Sequence, residues 1–135
     1  MDKQSSGSHP VILVVDDNRD NTEIVRQVLE RNGYAVHVAH DGEEALGVFE
    51  TVRPPVVLLD VMMPGRSGWD VCRVMKQHPD HGKHVRVIMM TALGDWNDKQ
   101  QAIQTGADDY ITKPIDFRDL AERVQRNLAL VSTPP

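Results

Sequence analysis

Val11-Ile12-Leu13-Val14-Val15-Asp16-Asp17 sets five apolar residues directly against two carboxylates. A run this short and this rich in β-branched side chains reads as a strand, and its lack of alternation means that both faces are buried. Strands of a parallel sheet covered by helices look like this. Three further runs share the character: Val56 to Leu59, Val85 to Met90 with Arg86 interrupting it, and the weaker Tyr110-Ile111. Ala35 to Ala39 alternates instead, Val36 and Val38 against His37, which predicts an edge strand.

The segments between these runs carry helical spacing. Ile24, Val25, Val28 and Leu29 form one stripe that stops at Gly33, a residue suited to a C-terminal cap. Glu43 to Thr51 follows an Asp41-Gly42 turn, with Ala45, Leu46 and Phe49 facing inward. Val71, Cys72 and Met75 mark a helix from Trp69 to Gln77, and Cys72 reads as packing rather than as a nucleophile. Phe117, Leu120, Ala121, Val124 and Leu128 mark the last helix, with Asp116 as its N-cap. Trp96 to Thr105 offers only Trp96, Ala102 and Ile103, so this helix is expected to be the least firmly packed, and Trp96 is either local core or a partner contact. Five strand-helix alternations imply an α/β domain with a parallel sheet and right-handed crossovers.

The chain has 135 residues, 40% of them hydrophobic, which fits one domain with one core. Fifteen Lys and Arg against 20 Asp and Glu give a net charge of -5 without a basic cluster, which argues against a nucleic-acid footprint. No apolar run approaches the roughly 18 residues of a membrane span, and one cysteine permits no internal disulfide, so a cytoplasmic protein without membrane insertion is expected. Residues 1–10 read as a flexible lead, 11–130 as the domain, and 131–135, ending Ser-Thr-Pro-Pro, as a tail or linker stub. His78, His81 and His84 are broken up by Pro79 and Gly82 and lack a cysteine, so a solvated loop is expected there rather than a metal site.

The chemistry lies in how the buried strands end. Val14-Val15 runs into Asp16-Asp17, Leu58-Leu59 into Asp60, Met89-Met90 into Thr91-Ala92, and Tyr110-Ile111-Thr112 into Lys113-Pro114. In an open parallel α/β sheet, ligands bind beyond the carboxyl ends of the strands. Two carboxylates 5 Å apart repel by about 3 kcal/mol at an effective dielectric of about 20, so three together imply a divalent cation. Oxygen ligands alone favour Mg²⁺ over zinc. A carboxylate beside Mg²⁺ is competent to attack a phosphoryl group, with Lys113 and Thr91 as cationic and hydroxyl partners for the phosphate.

The strings VILVVDDN, VVLLDVMMPGRSG, IMMTA and GADDYITKP resemble those of the response-regulator receiver domain, the CheY-like superfamily of two-component signalling, over roughly Val11 to Leu130. The resemblance implies a flavodoxin-like (βα)5 doubly wound parallel five-stranded sheet of order 2-1-3-4-5. It makes Asp60 the phosphoacceptor, Asp16 and Asp17 the acidic pair for Mg²⁺, and the backbone carbonyl of Met62 a further metal ligand. Thr91 and Lys113 then bind the phosphoryl oxygens, Tyr110 is the aromatic whose rotamer follows Thr91, and Pro114 follows a cis peptide. The implied partners are a sensor histidine kinase or histidine phosphotransfer protein and an output partner or domain engaging residues 94–130, with no chemistry beyond the protein's own phosphorylation and dephosphorylation. Met62 and Leu93 stand two residues after the phosphoacceptor and the threonine, where related domains often have polar residues, so slow loss of phosphate is expected.

Two other classes fit less well. A haloacid-dehalogenase-type phosphatase needs a second carboxylate two residues after its first-strand nucleophile, and Asp17 is followed by Asn18 and Arg19. A flavodoxin-like cofactor binder wants hydroxyls and glycines after the first strand, where Asp16-Asp17 would repel a flavin phosphate.

Overall fold

The computed structural model describes residues 9–63, 65–92, 100, 104 and 106–131. Its elements run β1 (Val11–Val15), α1 (Arg19–Arg31), β2 (Ala35–Ala39), α2 (Gly42–Val52), β3 (Val56–Asp60), α3 (Gly68–Lys76), β4 (Arg86–Ala92), β5 (Asp109–Lys113) and α4 (Phe117–Ala129). The five strands pair in parallel in the order β2-β1-β3-β4-β5. The alternating strand is therefore an edge, as its pattern predicts. Order reverses between β1 and β3, so the carboxyl ends of these two strands flank the crevice where such sheets bind ligands. The expected helix from Trp96 to Thr105 falls almost wholly outside the described residues.

The continuous apolar runs bury two layers at once. Leu13, Val15, Val57, Leu59, Val87 and Met89 face one way, against Ala45 and Phe49 of α2 and Val71, Cys72 and Met75 of α3. Their neighbours Ile12, Val14, Val56, Leu58, Ile88 and Met90 face the other way, against Val25 and Leu29 of α1 and Leu120 and Val124 of α4. Each such side chain, fully buried, is worth about 1.5–3 kcal/mol relative to exposure, which fixes strand register because a one-residue slip exchanges the layers.

Capping places the helix starts. Asn18 accepts from the amide of Asn21, Asp41 from Glu44, Ser67 from Asp70, and Asp116 from Arg118 and Asp119. Each cap contributes about 1 kcal/mol. Since Asn18 caps α1, Asp16 and Asp17 are not spent on that task.

Three expectations need correction. Ile24 and Phe117, expected to face inward, are exposed by 46% and 42%, while Thr22 and Asn127 are buried on those helices. Thr22 satisfies its hydroxyl on the Arg19 carbonyl at 2.9 Å, and Asn127 bonds Arg86 and Asp109, so polar residues occupy positions that hydrophobicity assigns to neighbours. The histidine loop is not a solvated one throughout. His78 meets Glu50 at 2.8 Å, accepts from the amides of Asp80 and His81 on Nδ1, and stacks edge-on against Phe49.

Gly68 opens α3 where a Cβ would lie 2.1 Å from the Asp60 carbonyl oxygen, whereas a Cβ at Gly47, inside α2, meets nothing within 4 Å. Gly68→Ala is therefore expected to destabilise the protein by about 1–3 kcal/mol through overpacking, and Gly47→Ala to stabilise it by about 0.5–1 kcal/mol. Urea unfolding of the two variants measures both signs.

Candidate functional site

The strand endings converge as their sequence positions require. Asp16 and Asp17 leave β1, Asp60 ends β3, and the carboxylate oxygens of all three lie within 4.8 Å of one another. Asp16 and Asp60 are buried and Asp17 is exposed, so the cluster opens to solvent on one side. Lys113, the last residue of β5, points its Nζ between them, 3.1 Å from Asp60 Oδ2 and 3.5 Å from Asp16 Oδ2. The peptide bond that follows, Lys113–Pro114, is cis.

Backbone groups fix the carboxylates. Asp16 Oδ1 accepts the Asn18 amide at 3.0 Å, and Asn21 Nδ2 approaches Asp16 Oδ2 at 3.5 Å. Asp60 Oδ1 accepts the Met62 amide at 3.2 Å, which curls the chain after β3 around the carboxylate. Gly68 returns this loop to the strand, its amide donating to the Val61 carbonyl at 3.0 Å. Gly68 and Asn21 are contributors that sequence reasoning missed. The glycine had a signal, its place in PGRSG, but only the distance to the Asp60 backbone shows why a side chain is excluded.

Thr91 lies one residue beyond Met90, the register partner of Asp60. Its hydroxyl oxygen is fully buried and finds no hydrogen-bond partner among the described residues. Such a group costs about 1–3 kcal/mol, a cost that an incoming oxygen ligand would relieve. Tyr110 sits opposite Met89, as Thr112 sits opposite Thr91, so the tyrosine and the site threonine share one face of the sheet. Met62 is 76% exposed, at the mouth of the cluster rather than packed over it. Leu93 and Trp96 lie outside the described residues.

The Lys113 ammonium pairs with two of the three carboxylates. Burial, and next the charge of Asp16, push the Asp60 carboxyl up to about 6 against the pull of Lys113. Burial lowers the Lys113 ammonium, but Asp60 and Asp16 together outweigh it and hold that group above its ordinary value. The residual negative charge and the all-oxygen donor set suit a hard divalent cation such as Mg²⁺, and the orphaned Thr91 hydroxyl suits a phosphoryl oxygen.

Residues 12–125 match the family model of the response regulator receiver domain. The chain belongs to that family. A response regulator from Chloroflexus aurantiacus J-10-fl superposes on this receiver with a TM-score of 0.86 at 36% identity, covering 90% of this chain and 99% of the other. The signal receiver domain of a signal transduction histidine kinase from Syntrophus aciditrophicus gives 0.84 at 35% identity, with 93% and 95% covered. The chemotaxis protein CheY4 of Vibrio cholerae gives 0.83 at 28%, with 88% and 98% covered. The receiver is accordingly a phosphoacceptor signalling switch, of a family that works with histidine kinases or phosphotransfer partners and typically binds Mg²⁺ at an acidic pocket. Among the described residues no helix is long and apolar enough to cross a membrane.

The raised Asp60 carboxyl has a consequence for stability. Between its ordinary value of 3.8 and about 6, the folded receiver binds a proton that the unfolded chain does not, so stability falls as pH rises through that window. In the presence of a chelator, Asp60→Asn is therefore expected to be more stable than the parent at pH 7.5 by about 1–3 kcal/mol and no more stable below pH 4. Denaturant midpoints across pH check this, and an equal or lower stability of the variant at pH 7.5 would contradict the assignment.

Proposed function

We propose that Asp60 is the residue that carries the phosphoryl group. The observation that supports it best is the pairing of a buried carboxylate with Lys113 Nζ at 3.1 Å, with two further carboxylates and a Thr91 hydroxyl that has no partner among the described residues. In transfer, an Asp60 oxygen forms the bond to phosphorus as the donor's P–N bond to imidazole, or P–O bond to an acyl group, breaks, and the electron pair leaves with the donor. Lys113 meets charge on the transferred oxygens, and Thr91 donates its hydroxyl to one of them. Asp16, Asp17 and Asp60, with the Met62 carbonyl, would hold Mg²⁺, which would supply positive charge for the phosphoryl oxygens.

The unit that performs this is residues 11–130, acting on itself rather than on a separate substrate, in the cytoplasm, where a sensor kinase or phosphotransfer protein presents its phosphohistidine. Drawing Thr91 toward the phosphoryl group vacates space on the face it shares with Tyr110, and the ring follows. Residues 94–130 then form the surface read by the output partner or domain. Met62 supplies no polar side-chain group to an attacking water, which favours a long-lived phosphorylated form.

Acetyl phosphate with Mg²⁺ tests the central step, because nucleophile, cation site and ammonium all lie in this chain. Intact-mass measurement is expected to show one added phosphoryl group, absent in Asp60→Asn and absent when a chelator replaces the metal. Modification that persists in Asp60→Asn would overturn the assignment.

A further inference from the structure

On the edge strand β5, Tyr110 is touched from the opposite face of the sheet. The ring is partly buried against the layer of Val87 and Met89, whereas α4 packs Leu120 and Val124 into the other layer. Arg123 of α4 reaches across the β5 edge and places its guanidinium carbon 6.0 Å from the centroid of the Tyr110 ring. That distance is within the range of a cation–π contact.

The guanidinium is held there from two elements. Its Nε lies 3.0 and 3.1 Å from the two Asp119 oxygens on α4, and its Nη1 lies 2.7 Å from Asp109 Oδ1 on β5. Asp109 Oδ1 also accepts the amide of Tyr110 itself at 2.8 Å, so one carboxylate oxygen ties the arginine to the backbone of the residue it covers. Asp109 Oδ2 accepts from the buried Asn127 at 3.0 Å, and Asn127 Oδ1 accepts from Arg86 on β4 at 3.1 Å. An exposed arginine pair contributes little because its side chain stays free to move. Here a planar fork is fixed on two carboxylates, and its orientation over the ring is fixed with it.

We propose that Arg123 is a positioning residue for Tyr110, holding the ring in its resting place at the β5 edge and so setting how readily the receiver switches. The proposal rests on the reading of Tyr110 as the aromatic that follows Thr91. In the switched state the ring moves along its face toward the space that Thr91 leaves, away from a guanidinium anchored at the edge. The contact therefore exists in the resting state and not in the switched one. A ligand that selects the switched state binds more weakly by the factor this contact contributes to the resting population.

Beryllium fluoride with Mg²⁺, a phosphoryl analogue, provides the readout. Arg123→Met is expected to bind it about two- to five-fold more tightly than the parent, the factor that corresponds to an exposed cation–π contact. Arg123→Lys, which keeps the charge but not the fork, is expected to fall between them. The two tyrosines allow a direct check: with 3-fluorotyrosine incorporated, the fluorine resonance of Tyr110 shifts in Arg123→Met and that of Tyr34 does not. Unchanged affinity in Arg123→Met, or an unmoved Tyr110 resonance, would overturn the proposal even if the variant is less stable. Should Arg123→Met fail to fold, Asp119→Asn releases one side of the fork without touching β5. It is expected to tighten binding in the same direction by a smaller factor, and an affinity equal to the parent's would overturn the proposal. If the parent binds no beryllium fluoride at all, the phosphoacceptor reading fails instead, so the two failures are distinguishable.

Discussion

Everything in this receiver is arranged around the repulsion among Asp16, Asp17 and Asp60. The three carboxylates lie within 4.8 Å of one another, and the two buried ones, Asp16 and Asp60, pair with the ammonium of Lys113. Such a cluster opposes folding unless charge is brought to it, and a bound cation would relieve that repulsion. The sheet supplies the rigidity that keeps the carboxylates together, since β1 and β3 are adjacent and buried on both faces. Without that burial the acidic side chains would spread into solvent and the affinity for a cation would fall.

Much of this was legible in the sequence because strand burial and strand endings are local signals. Val11–Val15 and Ala35–Ala39 have the bounds that their patterns predict, and the carboxyl-end rule places Asp16, Asp17, Asp60, Thr91 and Lys113 at one edge. What the sequence does not carry is the partner each side chain finds. Ile24 and Phe117 satisfy helical spacing yet face solvent, because spacing identifies a face only to within a residue or so. Asn127 is buried because Arg86 and Asp109 arrive from β4 and β5 to meet it, contacts between residues 41 and 18 positions apart. The Thr91 hydroxyl, without a partner among the described residues, and the exclusion of a side chain at Gly68 are likewise properties of the assembled site.

The same distinction separates the site from its readout. The acidic cluster lies at the switch point of the sheet, where the fold dictates that polar endings meet. Tyr110 lies on the edge strand β5, packed against the layer of Val87 and Met89 and approached by Arg123 of α4. Asp109, Arg123 and Asp119 there form a chain of charge that links strand to helix beside Tyr110. A receiver can keep its chemistry while such an edge varies, which is a physical basis for one phosphorylation site driving different outputs.

The central claim, that this cluster is built to hold a cation and a phosphoryl group on Asp60, is tested most directly by a crystal structure with Mg²⁺ and beryllium fluoride bound. The account predicts beryllium bonded to an Asp60 carboxylate oxygen, fluorines within hydrogen-bond distance of Thr91 Oγ1 and Lys113 Nζ, and Mg²⁺ against Asp16, Asp17 and Asp60. Beryllium on any other carboxylate, or a Thr91 hydroxyl still without a partner in that complex, would contradict it.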